Sequence, residues 1–286
     1  MATFGIGLVA VNLFNDTDRG VYAIFFNAFM VGMTIPWYLV FLPLEARAIE
    51  LPSDHRLGIF GASLRSGMVI SVLSALVAAV AFLATWGRTS NAVVLALAVT
   101  TALTIVLSPI QDHVRRAFHL ADESWKAAAT SAVQFVSAAT FLAVGYFLVD
   151  VPTEWLPFGS LVFANTISLA VASRLVPRNV PPMARPALRE VGGQGTYLLF
   201  GAVAPRVSQL LGAIVMAYLV GEAEVGFAEA ARVAAQPILV LAFGIGAVIS
   251  PRSMAAAQAG DAPAASRLRR TTAAIMIPAG LAYLAV

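Results

Sequence analysis

The chain has no cysteine among its 286 residues. Disulfides and thiolate metal sites are therefore excluded. Charge is nearly as scarce: Asp, Glu, Lys and Arg make up 12% of the residues, against about 25% in an ordinary soluble domain. Lys126 is the only lysine among eighteen basic residues. That arginine bias, with the abundance of alanine and valine, fits a GC-rich bacterial genome. No Walker A pattern is present, so ATP hydrolysis by that route is excluded. The three histidines, His55, His113 and His119, fall in connectors between apolar runs, and Asp112, His113 and His119 lack a metal-ligand spacing. No enzyme constellation, metal site or cofactor is expected. The net charge of +3 carries no nucleic-acid signal, because the basic residues cluster at the edges of apolar runs.

What the chain does have is apolar sequence, 59% of the total. A soluble fold of this length cannot hide that much apolar surface, so the solvent is lipid. The runs lack the ten-residue alternation of barrel strands and read as helices. Candidate spans are Ala2–Phe14 (partial), Val21–Leu44, Ile59–Trp86, Asn91–Ile110, Ala127–Val149, Trp155–Leu175, Thr196–Val220, Gly226–Ser250 and Thr271–Val286 (partial). The expected fold is an all-α polytopic transmembrane bundle of about nine helices, the first and last partial. Both ends read as cut inside a helix, which predicts a piece of a longer protein or a truncated product.

Arginine placement gives an orientation. Arg47 and Arg56 follow the second span, Arg115, Arg116 and Lys126 the fourth, Arg178, Arg185 and Arg189 the sixth, and Arg252, Arg267, Arg269 and Arg270 the eighth. The alternate connectors carry only Arg19 and Arg88. This predicts a multi-pass protein of the bacterial inner membrane with its N-terminus in the cytoplasm. The basic connectors would lie against the anionic inner leaflet, with membrane lipids as partners.

A repeat runs through the chain. Leu13-Phe14-Asn15-Asp16-Thr17-Asp18-Arg19-Gly20 parallels Leu219-Val220-Gly221-Glu222-Ala223-Glu224-Val225-Gly226 at an offset of 206 residues. Pro43 and Pro251 follow at 208, and Ser53-Asp54 and Gly260-Asp261 at 207. Three divisions result: residues 1–175 as a first six-helix lobe, 176–195 as a cytoplasmic linker rich in proline and arginine, and 196–286 as the start of a second lobe. An even number of spans per unit makes the two lobes parallel repeats.

The turn through Gly226-Phe227, followed by Ala230-Ala231-Arg232, the exit Ile249-Ser250-Pro251 with Gly260-Asp261, and the amphipathic connector Asp112–Lys126 together carry a resemblance. The chain resembles the multidrug/oligosaccharidyl-lipid/polysaccharide exporter superfamily, and within it the bacterial polysaccharide transporters, the O-antigen and exopolysaccharide flippases. The resemblance implies alternating access and a lipid-linked oligosaccharide as substrate. Members often carry an acidic residue in the seventh span where this chain has Gly212.

Arg206 stands about 15 Å into its span, at a cost of about 2.5–3.5 kcal/mol. Its guanidinium suits an anionic pyrophosphate in a wet central cavity, and equally a structural partner elsewhere in the bundle. Gln209 shares its face. Glu229, Arg232 and Gln236 are spaced to share one helix face, either as a polar stripe lining the cavity or as a salt bridge near an interface. Arg65 opens the third span, where headgroup anchoring competes with a place at the cavity mouth. Asn27, Gln134 and Asn165 are lone polar residues in apolar helices, where interhelical hydrogen bonds are the stronger expectation. Pro36, Pro205 and Pro237 are expected to kink their helices. An ion-coupled multidrug exporter would want a buried carboxylate in the first lobe, and none lies deep in spans two to six. A non-transporting scaffold or remnant is the reading from another class.

Overall fold

The computed structural model describes residues 2–52, 55–177 and 188–284. The Ser53-Asp54 landmark and most of the linker, with Arg178 and Arg185, lie outside the described residues. The helices are α1 Ala2–Leu13, α2 Asp16–Pro36, α3 Leu42–Ile49, α4 Ile59–Ser74, α5 Leu76–Thr85, α6 Asn91–Leu120, α7 Ser124–Phe147, α8 Leu156–Leu175, α9 Leu188–Val220, α10 Glu222–Gln258 and α11 Ala262–Leu284. Every regular element among the described residues is helical, and the molecule is an all-α polytopic bundle. Among the described residues, six helical stretches are long and apolar enough to cross a membrane: Asp16–Ile49, Arg56–Thr85, Asn91–Leu120, Ser124–Phe147, Thr153–Leu175 and Gly195–Val220.

Among the described residues eleven α-helices stand where nine apolar runs predict nine, because two runs are interrupted. Pro36 has no N–H to give and crowds the turn before it. The chain answers with a π turn, Trp37–Phe41, in which the Leu42 N–H reaches back to the Trp37 carbonyl. The run from Ile59 breaks at Ala75, whose N–H is shared between the carbonyls of Ser71 at 3.1 Å and Val72 at 3.2 Å. Pro205 and Pro237 behave differently, and the α-helix is unbroken through both.

Helices also overrun the predicted spans. α6 continues to Leu120, so the expected amphipathic connector Asp112–Lys126 is mostly the end of a helix. That extension carries His113 into the interior, where it is 0% exposed; the sequence placed it in a connector. The carboxylate of Glu45, one residue beyond the predicted end of the second span, is 3% exposed. The expectation of no buried carboxylate here is therefore corrected. It failed because the helix carries on past the point where hydropathy falls.

The bundle hides polar groups and shows apolar ones. Leu73, Leu76, Leu83, Phe135, Phe147 and Phe200 are exposed, while Thr100, Thr101, Thr104, Thr130, Ser160, Asn165 and Ser168 are buried. In water this would be unstable; in hydrocarbon it is what a helical bundle needs. Buried and half-buried side chains tie α6, α7 and α8. Gln134 Nε2 donates to Asn165 Oδ1 at 2.7 Å, and Asn165 Nδ2 donates to Ser108 Oγ at 2.9 Å. Gln111 Nε2 donates to Ser168 Oγ at 3.3 Å, which donates to the Thr130 carbonyl at 2.9 Å. The interhelical role expected of Gln134 and Asn165 is the one observed. An aromatic core joins α2 to α8: Tyr22 and Phe158 have ring centroids 5.5 Å apart, and Phe29 and Phe158 5.9 Å. Such pairs contribute about 0.5–1.5 kcal/mol beyond their area.

The helices α2 and α10 cross near their N-termini, where the repeated turns meet. A Cβ on Gly20 would lie 1.9 Å from the Glu222 carbonyl oxygen, and one on Gly226 would lie 2.5 Å from that of Asp16. Gly20 and Gly226 are 206 positions apart, and so are Asp16 and Glu222. The contact is thus reciprocal. The same exchange appears in the neighbours, for α9 packs on α2 and α1 packs on α10.

Candidate functional site

Alongside that crossing, α1, α2 and α10 enclose a polar cluster. The spacing of Glu229, Arg232 and Gln236 puts all three on the α10 face turned toward α1 and α2. Glu229 is 3% exposed and Gln236 7%. Arg232 grips Glu229 bidentately, its Nε donating to Oε2 at 2.6 Å and a terminal nitrogen donating to Oε1. The guanidinium also lies over the Phe26 ring of α2, 4.0 Å from the centroid. Cation–π contact and a bidentate fork together fix the arginine in one orientation.

Two polar atoms in this cluster have no hydrogen-bond partner among the described residues. They are the Tyr22 hydroxyl and the Gln236 carbonyl oxygen Oε1, both shielded from solvent. A Cβ on Gly7 of α1 would sit 3.3 Å from that Oε1, so α1 closes this side of the cluster. An unpaired buried polar group costs about 1–3 kcal/mol. Two of them beside an ion pair make a place where a ligand's donors would be stabilising.

Past the crossing, Arg88 leaves the connector between α5 and α6 to reach the α9–α10 turn. It pairs with Glu222, donates to the Ala217 carbonyl at 3.3 Å and lies 3.7 Å from the Tyr218 ring centroid. Thr89 donates to Asp18 beside it. Only Gly221, at φ +104°, separates α9 from α10. That tight turn presents Glu222 to Arg88.

The remaining expected residues are elsewhere. Arg206 is half-exposed on α9, and it donates to Gln209 Oε1 of its own helix at 3.2 Å. The packed stripe of α9 runs through Val207, Leu210, Ala213, Ile214 and Ala217, so Arg206 stands at its edge. Depth along the helix was readable from the sequence; the side it faces was set by packing against α2. Asn27 donates to the Ala23 carbonyl at 2.9 Å, a bond within α2 rather than between helices. Arg65 is exposed on α4 and joins none of these contacts. Tyr22, Phe26, Arg88 and Glu222 were not foreseen. Tyr22 and Phe26 share a face of α2 four residues apart, a signal indistinguishable from core aromatics. Arg88 carried a clearer signal as one of only two basic residues in the alternate connectors.

The geometry stands without support from likeness: no family model, no curated protein and no solved structure matches this chain.

Proposed function

We propose that this membrane-embedded chain belongs to a flippase-type transporter of lipid-linked oligosaccharide or polysaccharide precursors, working by alternating access. The observation that carries the reading is the buried Glu229–Arg232 pair with the unpartnered Tyr22 hydroxyl and Gln236 Oε1, set between two helices that contact each other reciprocally. A pyrophosphate linkage offers oxygens that can replace the Glu229 carboxylate on Arg232, since guanidinium binds both in the same forked geometry. Sugar hydroxyls offer the donor that Gln236 Oε1 lacks and a partner for the Tyr22 hydroxyl. The crossing of α2 and α10 is then the hinge, and the Arg88–Glu222 pair holds one end shut. Arginine bias puts that end on the outer face, with the N-terminus in the cytoplasm of a bacterial cell. No enzymatic step is required.

The test uses the full chain in liposomes containing a fluorescent pyrophosphate-linked oligosaccharide lipid. The label should cross the bilayer faster than in empty vesicles. R232A should slow it about tenfold or more, the loss of a hydrogen bond to a charged group, and R206A should leave it within about twofold. Movement no faster than in empty vesicles sinks the reading and favours a non-transporting scaffold.

A second reading has one observation behind it. An ion-coupled multidrug exporter wants a buried carboxylate in the first lobe, and Glu45 is one. Proton-driven efflux of a cationic dye by the same vesicles, with no movement of the lipid, would select it.

A further inference from the structure

The two repeated turns each hold a guanidinium, and they obtain it from different places. In the first turn Arg19 reaches back from α2 itself. One terminal nitrogen donates to the Phe14 carbonyl, just past the end of α1, at 3.1 Å, and the other donates to Oδ1 of Asp16, the first residue of α2, at 3.1 Å. The cation thus joins the carbonyl end of one helix to the acid that opens the next.

In the second turn the position matching Arg19 at the offset of 206 residues is Val225. α9 has no basic residue in its last turn, and α10 carries two acids, Glu222 and Glu224, in its first. Left to itself, this turn would set carboxylates beside the unpaired carbonyls of a helix C-terminus, which repel them. Arg88 brings the missing cation from the connector between α5 and α6. It donates to the Ala217 carbonyl in the last turn of α9, pairs with Glu222, the first residue of α10, and lies over the Tyr218 ring. A carbonyl, a carboxylate and an aromatic face around one planar cation are the parts of a guanidinium site.

The connector itself is tied to the first repeat. Thr89 donates to Asp18 Oδ1, and the other oxygen of Asp18 accepts from Asn15 Nδ2 at 2.7 Å. Ser90 caps α6 by accepting from the Val93 N–H at 3.3 Å. Gly87, at φ +77°, turns the chain so that the Arg88 side chain crosses to the second repeat. The other charges at this end are placed: Arg19 with Asp16, and Asp18 with Asn15 and Thr89, while Glu224 is exposed. We propose that the α9–α10 turn is a guanidinium-binding site, made of the Ala217 carbonyl, the Tyr218 ring and Glu222, and that Arg88 is its tethered ligand, clamping the two repeats together at this end. The clamp rests on the transport reading only for its use in transport. Its readout is a distance rather than lipid movement, so the two fail separately.

The chain has no cysteine, so spin labels can be placed at A92C, exposed at the start of α6, and at A228C, exposed on α10. Pulsed electron spin resonance on the full chain in nanodiscs reads their separation. With Arg88 in place the distribution should be narrow. R88A should spread it to longer distances, lowering the clamped-to-released ratio about fivefold or more. Guanidinium chloride at millimolar concentration, the effective concentration of a tethered group and far below the molar range that unfolds proteins, should restore the narrow distribution in R88A. Potassium chloride at the same concentration should not, because a spherical ion matches neither the fork nor the ring. Adding E222Q to R88A should abolish the response to guanidinium. An R88A distribution that stays narrow, that guanidinium leaves broad, that both salts restore equally, or that guanidinium restores without the Glu222 charge overturns the inference.

Discussion

Gly20 and Gly226 each press against the backbone of the other's helix, at positions related by a single offset of 206 residues. Neither can accept a side chain in place, because the atom each would meet is a carbonyl oxygen fixed in a helix rather than the tip of a flexible side chain. Overpacking usually costs about 1–3 kcal/mol, and backbone contact puts both sites at or above the top of that range. G20A and G226A should therefore each destabilise by about 3 kcal/mol, in nearly equal measure. Unfolding midpoints in mixed micelles check this. A small loss for one glycine and a large loss for the other would mean the reciprocity has no energetic counterpart.

Much of the fold was legible because hydrocarbon imposes a simple rule on length and polarity. The turns at Phe14 and Gly221 fall at the ends of α1 and α9, and the shared face of Glu229, Arg232 and Gln236 follows from helical spacing alone. The failures have one cause. Hydropathy marks where a run stops being apolar, whereas a helix stops only where its hydrogen bonding ends. Glu45 and His113 lie on helical extensions past that mark and were invisible as interior groups. The azimuth of Arg206 depends on which stripe of α9 packs on α2, and a stripe is decided by the partner. Tyr22 gave no signal, since an aromatic in an apolar run reads as core until its hydroxyl is seen to lack a partner.

The Arg88–Glu222 pair joins segments 134 residues apart and lends itself to a double-mutant cycle. Both side chains retain some exposure, 20% and 17%, so screening limits the pair. The coupling should be about 1 kcal/mol and should shrink with added salt. The hydrogen bond that Arg88 donates to the Glu222 carboxylate raises the arginine's pKa above its already high ordinary value. A raised folded-state value stabilises at every pH below the unfolded one and is lost only on rising through the folded one, beyond the working range. Arg88 thus adds no pH dependence of its own near neutrality. R88K should lose part of the coupling, because a lysine keeps the charge and gives up the planar contact with Tyr218.

Stability and function should part company at the polar cluster. The Tyr22 hydroxyl and Gln236 Oε1 are buried with no partner among the described residues, so Y22F and Q236L remove an existing cost. Each should stabilise the chain by about 1 kcal/mol, the low end of the penalty for an unmade bond. Lipid movement in the vesicle assay should fall in the same variants. Loss of stability in both would show that these atoms are already satisfied and that no ligand is needed to pair them.

Removing one member of the Glu229–Arg232 pair is a different matter. R232A strands a carboxylate that is 3% exposed, and breaking a buried pair in this way costs about 3–5 kcal/mol. E229Q strands an arginine that keeps the Phe26 ring and some solvent, so its loss should be smaller. The double variant R232M/E229Q removes both charges and keeps the volume, and should recover most of the stability lost in R232A, since the desolvation penalty of the pair goes with it. Unfolding of the four proteins under one condition reads this directly. If R232A and E229Q cost the same and the double variant costs their sum, the two residues act independently, and the forked contact between them has no energetic weight.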